Sequence, residues 1–215
     1  MSENFWQDKY GPLGIDAALN LEQYPNLQAV FRESSERFAD RPAYSNLGHT
    51  LTYREVYQHA TAFAAYLQHH TSLRPGDRIS IQMPNILQYP VVLIGALRAG
   101  MVVVNTNPLY TERELEHQLS DSGAKAVVCL ANMAHMVEKV LDKTALRHII
   151  VTDIGDLLPA PKRWVVNAVV RHVKKLVPAY NLPNSVTFSR AMAQGRKSPL
   201  TEYNPDRHEL AILQY

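Results

Sequence analysis

The stretch GDRISIQMPNILQYPVVLIGALRAGMVVVNTNPLYTERELEHQLSDSGAKAVVCL, residues 76–130, decides the fold. RISIQM (78–83), MVVV (101–104) and KAVVCL (125–130) read as short strands. The segments between them, 86–99 and 112–122, carry helical spacing, and each ends at a glycine, Gly100 and Gly123. Glycine is the residue that tolerates the left-handed turn closing a helix. A helix over 133–142 and a strand HIIV (148–151) continue the alternation. Strand centres recur roughly every 21–26 residues, the repeat of strands alternating with packed helices. VVVN and VVCL are apolar on both faces, as strands buried between two helix layers must be. The predicted fold is α/β, an open, mostly parallel sheet flanked by helices.

Local chemistry agrees with those boundaries. In TEREL, the Thr111 hydroxyl accepts from the N–H of Glu114 and the Glu114 carboxylate returns the bond, a capping box. Upstream, Asn26 is positioned to cap a helix in which Leu27, Val30, Phe31 and Ser34 share a face. PAYSNLG and HTLTY read as a strand pair turning at LGH. REVYQHATAFAAYLQHH then repeats Val56, Ala60, Phe63, Ala64 and Leu67 at helical spacing, a helix docked on the sheet. Residues 1–25 form an aromatic-rich arm, which Phe5, Trp6, Tyr10 and Tyr24 are expected to anchor. Residues 26–151 form the α/β unit, 152–200 a proline-containing basic insertion, and 201–215 a return into a central strand. The last residues, ELAILQY, read as the start of such a strand, and the expectation is a longer protein.

Composition is globular, with 46% apolar and 20% charged residues among 215. No run approaches the ~20 apolar residues of a membrane span, and the N-terminus lacks a basic and apolar secretory pattern. The expected location is the cytoplasm, with peripheral association on the cytoplasmic face of the inner membrane as its extension. The single cysteine, Cys129, lies among aliphatics and reads as a buried small hydrophobe. Neither HExxH nor a Cys/His cluster occurs among the nine histidines, so no metal site is expected.

Charge is uneven. Residues 157–201 contain eight Lys or Arg and no acid, which leaves −6 on the rest of a chain of net charge +2. No nucleic-acid reader motif accompanies these charges, so nucleic acid is not an expected partner. Within this segment, PKRWVVNAVVRHVKKLVP (161–178) reads as an amphipathic helix over about 162–177. On a wheel Val165, Val166, Val169, Val170, Val173, Leu176 and Val177 fall together, opposite Asn167, Arg171, Lys174 and Lys175. Valine forms helices reluctantly, so this helix needs an apolar partner surface. The preferred partner is the protein's own body. The alternatives are an anionic membrane surface and a homodimer or interdomain contact. Arg163, Trp164, Val166, Val170, Arg171, Lys174 and Lys175 are the membrane or interface candidates.

No GxGxxG or GxxxxGK[ST] fingerprint and no nucleophile elbow is present, so no catalytic residue is assigned. Asn85, Asn105 and Asn107 emerge at C-terminal strand ends, where open α/β sheets bind ligands. They read either as turn-forming residues or as the polar wall of a cleft.

LTYREV, the 76–128 stretch and HIIVTDIGDLLP closely resemble the adenylate-forming superfamily, and within it the bacterial long-chain fatty acid–CoA ligases. RAGMVVVNTNPLYTERELEHQL is the most specific segment, and KRWVVNAVVRHVKKLVPAYNLPNSVTFSRAMAQG resembles an insertion of these enzymes. The resemblance implies the first α/β subdomain of a large N-terminal domain. It also implies a two-step ligase: ATP, with Mg²⁺, converts a long-chain fatty acid to an acyl-adenylate, and CoA then yields acyl-CoA and AMP. Asn107, Leu109 and Tyr110 are carried over as residues near the CoA nucleotide. In the family ILQY leads directly into the phosphate loop, so these 215 residues alone are expected to be inactive. Long-chain members of the family act at membranes and some form dimers. The alternatives are a medium-chain or aryl acid ligase and an autonomous membrane-docking α/β module.

Overall fold

The computed structural model describes residues 5–15 and 23–215. In chain order the helices are α1 (Phe5–Tyr10), α2 (Leu27–Arg37), α3 (Tyr53–His70), α4 (Gln88–Arg98), α5 (Glu112–Ser122), α6 (Ala134–Val140), α7 (Lys162–Ala168) and α8 (Phe188–Gly195). The strands are β1 (Pro42–Asn46), β2 (His49–Thr52), β3 (Arg78–Gln82), β4 (Val102–Asn105), β5 (Ala126–Leu130), β6 (His148–Thr152), β7 (Val186–Thr187) and β8 (Ile212–Gln214).

The two-sided apolar runs build one six-stranded sheet in the order β7-β6-β5-β3-β4-β8. Every pair in it is parallel. β1 and β2 form a separate antiparallel hairpin. Alternation sorts the side chains into two layers. Ile79, Ile81, Val103, Val128 and Ile150 point to one face, where Phe63, Leu67, Val91, Ile94, Phe188 and Met192 of α3, α4 and α8 cover them. Val127, Cys129, Ile149 and Val151 point to the other, against Leu115, Leu119, Val137 and Val140 of α5 and α6. Each fully buried aliphatic stabilises the fold by about 1.5–3 kcal/mol relative to exposure.

The helix ends are set by the expected chemistry. Asn26 caps α2 through the N–H of Ala29. Thr111 and Glu114 close the capping box of α5, and Gly123 ends that helix at φ 63°. A second capping box, Thr52 with Glu55, starts α3. Helices also approach where side chains are absent. A Cβ on Gly195 of α8 would stand 1.8 Å from the carbonyl oxygen of Ala62 in α3. The two backbones meet there because neither residue carries a large side chain.

The structure differs from the sequence reading in three places. β8 pairs with β4 at the outer side of the described sheet rather than in its centre. In the N-terminal arm, Phe5 and Trp6 are exposed, and the Trp6 ring stacks on Tyr10 instead of on the body. The part of that arm at 16–22 lies outside the described residues.

The third difference is the basic helix. Its α-helical part ends at Ala168, a π-helical turn spans Val169–Val173, and Lys175 adopts φ 50°, so the helix does not reach 177. Its facing is also partly changed: Val166, Val170 and Val177 turn inward and Lys174 and Lys175 outward as read, but the rest do not follow the wheel. Val166, Asn167, Val170 and Arg171 turn inward, while Val165, Val169, Val173 and Leu176 face solvent. The cause lies at the end of β6, where the turn Asp153–Asp156 presents polar groups that an aliphatic face leaves unpaired. Asn167 Oδ1 accepts the Gly155 N–H at 2.8 Å, and its Nδ2 donates to Asp156 at 3.2 Å. Arg171 pairs with Asp153 at 2.9 Å. Satisfying those groups outweighs burying three more valines.

Candidate functional site

Because β3, β4 and β8 are parallel, the residues leaving their C-terminal ends gather on one edge of the sheet. They line a cleft of about 350 Å³ bounded by Met83, Asn85, Tyr89, Asn105, Thr106, Asn107, Tyr110 and Gln214. All three asparagines noted in the sequence therefore meet in one place. No lining side chain carries a full charge at neutral pH.

Thr106, Asn105 and Asn107 are held in place by neighbouring groups. The Ser80 and Thr106 hydroxyls share a buried hydrogen bond of 2.7 Å, which ties the loop after β4 to β3. Gln118 of α5 donates to the Asn105 carbonyl at 2.9 Å. The Tyr89 hydroxyl donates to Asn105 Oδ1 at 3.0 Å, and Asn105 Nδ2 donates to Gln214 Oε1 at 3.1 Å. Burial raises the Tyr89 phenol above its ordinary range, against a smaller lowering by Asn105, so it stays a neutral donor. Asn107 Oδ1 accepts the Leu109 N–H at 2.9 Å, an Asx turn that shapes the loop. Asn107 thus forms a turn and lines the cleft at once. Tyr110 is half-buried, with its ring against the α5–α6 core, whereas Leu109 projects into solvent outside the cleft lining.

Tyr89 and Gln214 were not singled out in the sequence. Tyr89 lies within a segment read only as helix, and its place in the first turn of α4, beside the strand ends, was the available signal. Gln82, the last residue of β3, is fully buried, and neither atom of its carboxamide finds a hydrogen-bond partner among the described groups. Burial pushes the Cys129 thiol up to about 12, leaving it protonated and inert. Among the described residues no group of three or more His, Cys, Asp or Glu stands close enough to hold a metal ion. A larger cavity, about 520 Å³, opens at the opposite edge between Tyr24, Met101, Tyr203 and Leu210. It is mainly apolar and lies where strands begin, away from the convergent polar groups.

An uncharged set of amides and hydroxyls suits a sugar, amide or heterocycle through paired donors and acceptors. It does not suit a triphosphate, which calls for cations or a backbone nest. Of the surface candidates, Trp164, Lys174 and Lys175 are exposed and Arg163 is half-exposed. Val166, Val170 and Arg171 face the body instead and leave the outward surface to Val165, Val169 and Val173.

The family model described as AMP-binding enzyme matches residues 31–215. A long-chain-fatty-acid–CoA ligase of Escherichia coli O6:H1 is 48% identical over 210 residues, covering 98% of this chain and 37% of that protein. The ligase of the same description from Yersinia pestis is 46% identical over 213 residues, covering 99% and 38%. The chain thus spans well under half the length of the curated relatives it matches. Among solved structures, coronafacic acid ligase from Pectobacterium brasiliense superposes with a TM-score of 0.68 at 19% identity, covering 88% of this chain and 33% of that one. This likeness extends to the fold, a sheet flanked by helices.

Proposed function

This chain belongs to the AMP-binding enzyme family, and on that premise we propose that it is part of an ATP-dependent long-chain fatty acid–CoA ligase acting in the cytoplasm. In the first step a fatty carboxylate oxygen attacks the α-phosphate of ATP, and pyrophosphate leaves. In the second the CoA sulfur attacks the acyl carbon, and AMP leaves. Adenylation is needed because a carboxylate is a poor electrophile. Mg²⁺, when bound, would shield charge on the phosphates, and no cluster among the described residues fits it. The observation that carries the reading is the extent of the ligase likeness, which takes in the sheet and the basic insertion together.

Within this scheme the described residues orient rather than react. Asn107 and Tyr110 line the cleft and Leu109 stands at its rim, and these three are proposed to meet the nucleotide portion of CoA. The neutral character of the cleft fits the adenine and ribose of that portion better than its phosphates. Asn105, fixed between Tyr89 and Gln214, holds the wall in position.

The test is ATP- and CoA-dependent thioester formation by the full-length protein across acids of rising chain length. Preferred turnover of palmitate or oleate supports the reading; turnover confined to medium-chain or aryl acids overturns the substrate class. Asn107→Ala is expected to raise KM for CoA several-fold with little change in KM for ATP. An equal effect on both removes the assigned role.

A further inference from the structure

We infer that the outward face of residues 164–176 docks on an anionic bilayer surface. Exposure alternates in pairs along this segment: 164–165 face out, 166–167 in, 168–169 out, 170–171 in, 172–173 out. Five of the six outward residues are apolar, His172 being the exception, while the inward pairs include Asn167 and Arg171. A helix on a water-facing surface ordinarily has the opposite arrangement. Trp164 is 61% exposed, Val165 58% and Val173 73%, and Leu176 extends the strip at 57%. The π-helical turn at Val169–Val173 widens the repeat, so the outward pairs stay in line.

Charge identifies the occupant. Lys162, Lys174 and Lys175 are exposed at the two ends of the strip, inside a segment of eight basic residues and no acid. Apolar side chains with flanking lysines and an indole match the headgroup boundary of an anionic membrane. A second copy of the chain is a poor occupant, because a two-fold contact sets the same cationic patch against itself. The inward contacts of Asn167 and Arg171 with the β6 turn hold the strip rigid against the body. The surface deepens the proposed ligase reading, since a long-chain acid resides in bilayers, but its geometry stands without that reading.

The test is co-sedimentation of the full-length protein with phosphatidylcholine vesicles, with and without about 30% phosphatidylglycerol. Binding is expected only with the anionic lipid and should weaken with salt. Triple replacement V165S/V169S/V173S and, separately, K174E/K175E should each lower the partition coefficient about tenfold or more. Both sets sit on the surface, and circular dichroism checks that they fold. Equal partitioning of wild type and both variants, or binding indifferent to lipid charge, overturns the inference. So does a dimer that the serine variant dissociates while vesicles remain unbound. Acyl-CoA formation from detergent-dispersed acid is measured in parallel and should persist in the variants. Vesicle binding without any acyl-CoA formation by the wild type refutes the ligase reading and leaves the docking surface standing.

Discussion

Cys129 and Gln82 sit opposite each other on paired strands, both fully buried, and their chemistries lead to contrary expectations. The Cys129 thiol, held at about 12 by burial, presents no thiolate near neutrality. A thiol-specific reagent such as iodoacetamide should leave it unmodified in the native protein and label it in denaturant. Native labelling at the rate of a free thiol would mean the α5–α6 face opens. Gln82 instead buries an amide whose oxygen and nitrogen find no partner among the described groups. Such a group costs about 1–3 kcal/mol in desolvation. Gln82→Met has similar volume and no strong polar atom, and it should stabilise the protein by about 1–2 kcal/mol in chemical denaturation. A loss of stability would show that the amide has a partner within the folded protein. Neither residue is distinguishable from its neighbours by pattern alone: the strand reading placed Cys129 correctly, but the cost at Gln82 emerges only with packing.

Elements were legible where one local rule governs them. β-branched runs made the strands, and Thr111, Asn26 and Gly123 marked helix ends through bonds spanning three or four residues. The sequence also placed Asn85, Asn105 and Asn107 at strand ends, because parallel strands share a direction. What failed within residues 162–177 was the facing of Asn167 and Arg171, which turn inward, and of Val165, Val169, Val173 and Leu176, which turn outward. A helical wheel ranks side chains by hydropathy, yet the surface awaiting them, Asp153, Gly155 and Asp156, is polar and lies on a turn whose position no wheel contains. The contact between α3 and α8 was hidden for a similar reason, since it depends on two small residues far apart in sequence. Gly195→Ala tests that contact. Its added methyl meets the Ala62 backbone, which cannot rotate away, and Ala is otherwise the better helix former by about 1 kcal/mol. Overpacking should prevail and cost about 1–3 kcal/mol net. An unchanged or raised melting temperature would show that α8 shifts freely against α3.

Across the whole molecule, the segment after α8 is fastened to distant helices through side chains. His69 donates to the Pro199 carbonyl, Gln68 bonds both backbone groups of Thr201, and buried Arg98 pairs with Glu202 while its guanidinium lies 3.9 Å from the Tyr57 ring centroid. Two further histidines make long-range closure sensitive to pH. His148 Nε2 accepts the Ser72 N–H at 3.2 Å, which requires that nitrogen to be bare. Burial, then the charge of Arg147, holds its pKa below 6.5, with Asp77 opposing. His59 is lowered likewise by burial and by Arg196, whose guanidinium donates to its Nδ1 at 3.4 Å. Between 6.5 and those lower values, the unfolded chain binds protons that the folded chain refuses. Stability therefore falls as pH drops through that window. Glu55 and Asp77 are also lowered, Glu55 by its bonds to Thr52, and Asp77 by Lys125 and the Arg74 N–H, which together outweigh burial. They act only below their ordinary carboxylate values. Asp156, raised by burial, works in the opposite sense, since protonation favours its folded form. Thermal melts from about pH 7.5 to about pH 5 should show a decline that begins near the ordinary histidine value, before the carboxylates titrate. His148→Gln carries its amide oxygen out to the Nε2 position, keeps an acceptor for the Ser72 N–H and cannot take up a proton, so it should flatten part of that decline while leaving the melting temperature at pH 7.5 nearly unchanged. A variant that declines as steeply as the wild type would place the acid sensitivity elsewhere.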